Sequence, residues 1–271
     1  MLRQLDGNLW ILDKPFRIAG ADLGGRMTVA KLHDGSLLAI SPVRTTPEDR
    51  VELDRIGPVR HIVAPNQMHH LFVPELKSLY PEARVYVAPG LPEKVKGLRY
   101  DEVLGNDPPA ALAQDVLQLV LGGMPRMNEV AFLFKPSRAL ILTDLLFNIT
   151  HSDRLWTRVF FTLNGGYGKL AATRFLRTTI KDPAMLRTSV ERLLTWDFDR
   201  LVVTHGEVIE RDAKPRVREA LQPQKAFGKN APKPADKEVD FDAAMTASDL
   251  QRLKHADFSA LSGSEYRLVE R

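Results

Sequence analysis

The stretch from Val59 to Val73, VRHIVAPNQMHHLFV, constrains the fold more than any other part of the chain. Its opening alternates, with Val59, His61 and Val63 on one face and Arg60, Ile62 and Ala64 on the other, which predicts a buried strand. Pro65-Asn66 then ends the ladder, because proline has no N–H to give and Asn closes turns with its own side chain. Gln67, Met68, His69 and His70 follow at once, ahead of a helical pattern of Leu71, Phe72, Leu76 and Leu79. A strand end that delivers polar side chains to the start of a helix is where an open α/β sheet places its site.

The flanks supply the rest of a sheet. Asn8 to Lys14 alternates as an early strand, and Met27–Leu32 and Ser36–Ile40 enclose His33-Asp34-Gly35, a strong hairpin mark. Thr46, Pro47, Glu48 and Asp49 provide an N-cap, a first-turn proline and first-turn acids, predicting a helix to Ile56 with Gly57 as its stop. After the central turn a helix to Leu79 or Tyr80 closes at Pro81. Arg84–Ala88 is a strand, Pro92–Lys96 a short helix, and Gly97–Gln114 reads as loop. Val116–Leu121 resumes the sheet, and Val130–Phe134 and Ala139–Thr143 form a second hairpin around Lys135-Pro136-Ser137. A helix from Asp182 to Leu194 and a strand from Arg200 to Thr204 lead to His205-Gly206, where glycine lets the imidazole approach neighbouring backbone.

The chain has 271 residues, 44% of them hydrophobic, enough to bury a substantial core in one domain. It has no cysteine, so disulfides, thiolate sites and cysteine nucleophiles are excluded, and any metal must be held by His, Asp, Glu or amide oxygen. No signal peptide and no membrane-spanning run is evident, so the expected setting is cytoplasmic, with no membrane partner. The net charge is +4. Between His151 and Arg187 lie Arg154, Arg158, Lys169, Arg174, Arg177, Lys181 and Arg187 against Asp153 and Asp182. A solvated helix face is the ordinary reading of such a segment, and an anionic ligand the alternative. Gln222 to Asp240, with Pro223, Pro232 and Pro234, has linker composition, and 241–271 is a tail with one short predicted helix, Ser248–His255.

The PNQMHH turn resembles a variant of the HxHxDH segment of the metallo-β-lactamase fold superfamily, in an uncharacterised branch known as a domain of unknown function. SRALILTDLLFN (Ser137 to Asn148) resembles the strand that delivers the superfamily's bridging Asp, here Asp144, and FDRLVVTHGEVI (Phe198 to Ile209) the strand that delivers its last His, here His205. The resemblance runs from about Asn8 to Leu221. It implies an αββα four-layer sandwich over 1–221, followed by the linker 222–240 and the tail 241–271. It also implies that Leu145 to Gly168 shapes access to the site.

For the two-metal centre of the superfamily, the resemblance places Pro65 and Gln67 on the first metal's histidine positions, and GGMPRMNE, ending at Glu129, offers no later histidine. The second metal's set is better kept, with His70, Asp144 and His205 as expected ligands and His69 standing where the turn usually has Asp. Two adjacent imidazoles cannot easily aim at one point, and His70 is expected to be the ligand before His69. On residue type alone Asp144 caps a turn, and the resemblance reverses that preference. The function implied is a hydrolase with one divalent metal, zinc first and iron or manganese next, acting on an ester, amide or similar bond of a small molecule. Asn66 is expected to orient water or substrate. The alternative is a degenerate, metal-free member that binds a small molecule or protein; nucleic acid ranks below both.

Overall fold

The computed structural model describes residues 1–222, so the predicted linker, the tail and the helix Ser248–His255 lie outside the described residues, Gln222 apart. In chain order the strands are β1 (Arg3–Asp6), β2 (Leu9–Lys14), β3 (Arg17–Ile18), β4 (Ala21–Asp22), β5 (Gly25–Lys31) and β6 (Leu37–Ile40). Helix α1 (Pro47–Ile56), β7 (Val59–Ala64), α2 (Val73–Leu79), β8 (Arg84–Val87), α3 (Leu91–Lys94), β9 (Glu102–Val103) and β10 (Val116–Val120) follow. After them come β11 (Val130–Phe134), a 3-10 turn (Lys135–Ser137), β12 (Ala139–Leu142), α4 (Leu155–Leu163), α5 (Arg174–Thr179), α6 (Pro183–Thr195), β13 (Arg200–Val203) and α7 (Ala213–Ala220).

Two sheets carry the core. The larger has the order β1-β2-β5-β6-β7-β8-β9 and the smaller β10-β11-β12-β13. β1, β2, β5 and β6 pair antiparallel, and β6 to β9 pair parallel. Three apolar clusters show the layering. Ile11, Leu38, Ile40 and Val63 meet Val120, Phe132, Phe134 and Ile141 between the sheets. Leu12, Val29, Ile62 and Val85 pack with Leu53 of α1 and Leu76 of α2 outside the larger sheet. Leu119, Leu133 and Leu140 pack with Leu186 and Val190 of α6 and Val217 of α7 outside the smaller. Helix, sheet, sheet, helix is the αββα sandwich, and it arises because alternate residues of both sheets are apolar on both faces.

Two expectations change in detail. β1 and β9 extend the edges of the larger sheet, where stretches of four and two residues of mixed polarity gave no sequence signal. Val59 packs with the outer cluster rather than with His61 and Val63. The pairing of β6 with β7 explains it: Leu37 faces Val59 but Leu38 faces His61, so Arg60 is an extra residue that flips the strand's first position.

Helix α1 starts as its sequence demands. The Thr46 hydroxyl accepts from the Asp49 N–H, and the Asp49 carboxylate accepts from the Thr46 N–H at 2.9 Å, a reciprocal cap. Burial works against the Asp49 charge, but the Lys14 ammonium and the Thr46 donors outweigh it and hold its pKa down to about 2, from the usual 3.8. A depressed folded-state pKa means that this stabilisation is full above 3.8 and is lost as pH falls through about 2. Asp49→Asn is therefore expected to lower stability by about 2 kcal/mol at neutral pH and to converge with the parent in strong acid, checked by urea unfolding across pH. Among the described residues no helix is long and apolar enough to cross a membrane.

Candidate metal centre

The centre is assembled from four strand ends. After β7 the chain turns at Asn66, which is completely buried. Its side-chain oxygen accepts from the N–H groups of Met68 (2.7 Å) and His69 (2.9 Å), fixing the turn. Its amide nitrogen donates to the Thr143 hydroxyl at 2.9 Å and to the Asp144 carboxylate at 2.7 Å, tying this turn to the end of β12. Both ends of the amide are thus engaged within the protein, so Asn66 positions Asp144 and the turn instead of orienting water or substrate.

That turn decides which histidine enters the site. His69 Nε2 lies 3.1 Å from Asp144 Oδ2, and His205 Nε2 lies 3.5 Å from Asp144 Oδ1. The donor atoms of His69, Asp144 and His205 all fall within 4.8 Å of one another. His70 does not join them. The Asn66 bonds direct residue 69 inward, and the next residue of a tight turn diverges, so the expected order of the two histidines is reversed. His70 is partly buried on the side of Lys94, and burial first, then the Lys94 charge, push its pKa down to about 4.

Each imidazole is oriented from behind. His69 Nδ1 lies 2.8 Å from the Ser41 hydroxyl, and Ser41 sits just past β6 with φ of 59°. His205 Nδ1 donates to the Gly24 carbonyl at 2.7 Å, as the His-Gly pair led us to expect, and its ring stacks on Phe147 with centroids 5.0 Å apart. The Arg26 guanidinium donates to the carbonyls of Val203 and Gly206, each at 2.7 Å, and clamps the loop that carries His205. Gly206 itself has φ of 102°, and a Cβ there would stand 2.1 Å from the Asn148 carbonyl oxygen. Gly206→Ala is expected to cost about 3 kcal/mol or more, read by thermal and urea unfolding, because strain and a backbone clash coincide.

Glu129 is the residue that sequence reasoning passed over. Fully buried, it accepts three backbone N–H bonds, from Thr143 (2.7 Å), Asp144 (2.9 Å) and Leu145 (2.7 Å), and so shapes the loop that presents Asp144. Burial and then the Asp144 charge push its pKa up to about 7, against the pull of those three donors. No single-sequence signal marks it, since a lone acid after Asn128 reads as turn. Gln67, placed by resemblance on a histidine position, donates to the Pro125 carbonyl at 2.9 Å, and Asn128 donates to that of Pro89 at 3.0 Å.

The electrostatics favour a cation among the three donors. Burial opposes a charge on Asp144, yet His69 and His205 outweigh it and hold the carboxyl well below the ordinary range. For His69, burial lowers the pKa, but Asp144 and then Glu129 raise it further, for a net increase. Because the Gly24 carbonyl only accepts, His205 Nδ1 must carry the hydrogen. That leaves His205 Nε2, 3.5 Å from Asp144 Oδ1, as the ring atom that faces the other donors. Two imidazoles with their outer nitrogens held, and one carboxylate, fit a divalent cation.

Residues 6–159 match the family described as Domain of unknown function (DUF4336). The chain belongs to this family. No curated protein matches the sequence. Among solved structures, the DUF4336 chain is similar to DIM-1 metallo-β-lactamase exposed to ceftazidime, at 12% identity and a TM-score of 0.58, over 81% of this chain and 95% of that one. A metallo-β-lactamase from Pontibacter korlensis aligns at 13% identity and 0.58, over 85% and 99%. FIM-1 from Pseudomonas aeruginosa in its mono-zinc form aligns at 10% identity and 0.56, over 81% and 93%. At such identities the likeness shows the fold: this DUF4336 member has the metallo-β-lactamase αββα sandwich.

Proposed function

We propose that the protein is a hydrolase dependent on a single divalent metal ion held by His69, Asp144 and His205, acting on an ester, amide or similar bond of a small molecule in a cytoplasmic setting. The observation that carries this reading is the convergence of three donor atoms whose outer contacts, Ser41 behind His69 and Gly24 behind His205, aim the rings inward. The donor set suits zinc, and also iron or manganese, and such an ion supplies Lewis acidity and a water acidified toward neutral pH. A single ion has a parallel in FIM-1, a protein of the same fold described in a mono-zinc form.

The chain's own groups supply the rest. Asp144 brings the negative charge, Glu129 and Asn66 hold it in place, and Phe147, itself packed against Phe161, stacks on the His205 ring. Gly24, whose carbonyl holds the His205 ring, also lines a neighbouring cavity of about 300 Å³ with Lys14, Arg26, Gly206 and Glu207, although none of the three donor residues lines it.

The test is elemental analysis of protein purified without added metal, followed by turnover of an ester and amide panel before and after chelation. Near one equivalent of metal, with hydrolysis that falls on chelation and returns on adding the ion, is expected. A metal-free protein whose stability is unchanged by added zinc, iron or manganese rules the reading out. A second reading, a non-catalytic small-molecule binder, is favoured by the burial of Asp144 and His205, 8% and 3% exposed. Under it the panel is inert, while a cavity-sized ligand raises the melting temperature.

A further inference from the structure

One surface is left unexplained by the metal centre. From Arg154 to Lys181 the chain carries Arg154, Arg158, Lys169, Arg174, Arg177 and Lys181 and not one Asp or Glu. The same segment exposes large apolar side chains that a globular surface ordinarily hides: Leu155 (67% exposed), Leu163 (64%), Phe175 (56%), Trp156 and Val159. On α4 the buried residues are Thr157 and Phe161. At helical spacing, Leu155, Val159, Leu163 and Trp156 share an arc of about 100° on the outward side, with Arg158 at its edge.

The stripe continues beyond the helix. Trp156 Nε1 donates to the Ala19 carbonyl at 2.9 Å, which brings the exposed Ile18 of the β3–β4 hairpin alongside. At the other end Arg174 N–H donates to the Asn164 carbonyl at 2.8 Å, so Phe175 of α5 follows Leu163. Three elements thus bring Ile18, the outward residues of α4 and Phe175 into one neighbourhood, with Arg158 and Arg174 on the same helices, while Arg154 and Arg17 are paired with Asp22 of the hairpin.

We propose that this patch is a docking surface for an anionic lipid bilayer, with α4 lying in the plane of the interface. Apolar residues and a tryptophan on the outward face of a helix, with arginines beside them, suit a layer whose headgroups are negative and whose acyl boundary is apolar. The charge argues against a second copy: self-pairing of this face brings Arg158 and Arg174 toward their own counterparts. The expectation of no membrane partner came from the absence of a spanning run, and a helix in the interface plane needs none. Docking stands apart from the metal reading, since none of these side chains is a donor in the centre.

The experiment is flotation of the full chain with vesicles of phosphatidylcholine alone and of phosphatidylcholine with phosphatidylglycerol. Binding to the anionic vesicles about tenfold above that to neutral ones, falling as salt rises, is expected. Trp156 fluorescence, isolated by difference from Trp156→Phe, shifts to the blue on binding. Leu155→Glu with Leu163→Glu, both at exposed positions, loses flotation while the melting temperature and metal content hold. Arg158→Glu with Arg174→Glu removes the preference for anionic vesicles. The proposal is overturned by no flotation on either vesicle, by unchanged flotation of the Leu155/Leu163 variant, or by a concentration-dependent dimer or an acidic protein partner that this variant abolishes without any vesicle binding.

Discussion

Replacing His69, Asp144 or His205 by alanine is expected to abolish the proposed metal binding, whereas His70→Ala leaves it near that of the parent. Each of the three supplies one donor, and two remaining donors do not hold a divalent ion against water and buffer at the concentrations of a purified protein. His70 makes the sharper control because it is the neighbour of His69 in sequence. It lies outside the set of converging atoms. Ser41→Ala belongs to the same series, since it removes only the partner of His69 Nδ1. Its expected effect is a metal affinity weaker by about 10- to 100-fold, with the site still able to fill when the ion is in excess. Elemental analysis of the five variants, with competition against a chromophoric chelator, reads all of this. Metal lost from His70→Ala and kept in His69→Ala would move the centre to the other histidine and refute the geometry.

Glu129→Ala should be the most destabilising single change in the centre. It leaves the N–H groups of Thr143, Asp144 and Leu145 without acceptors in a buried loop. Each orphaned donor costs about 1–3 kcal/mol, and because the loop relaxes as a unit the combined loss is on the order of 4 kcal/mol. That is a large share of the stability of an ordinary domain. Glu129→Gln keeps one oxygen and turns an NH₂ toward a backbone donor, so an intermediate loss is expected. Urea unfolding, with the slope checked for constancy, measures both. If Glu129→Ala fell within about 1 kcal/mol of the parent, the loop would be held by something other than this carboxylate.

The sandwich was legible because its signals are local and redundant. Alternation marks β2 and β7, short apolar runs mark β10 to β13, Gly35 marks the first hairpin, and Thr46-Pro47 and Asp182-Pro183 mark two of the helix starts. The edge strands β1 and β9 and the β3–β4 hairpin were not, since two to four residues of mixed polarity become a strand only when a neighbour offers free backbone groups. In the centre, Asp144 and His205 stand out as polar residues that end apolar strands. Arg26, Ser41 and Glu129 do not, because each acts through a partner more than 10 positions away in sequence.

Residue order by itself determined the layers, the strand ends at which a site can stand, and the exclusion of sulfur ligands. Only the tertiary structure decided between His69 and His70. Their types are identical and their positions adjacent, so nothing local separates them. The choice is made by Asn66, whose single amide caps the turn with its oxygen and reaches β12 with its nitrogen, and a bond spanning 78 residues exists only once the two sheets have packed.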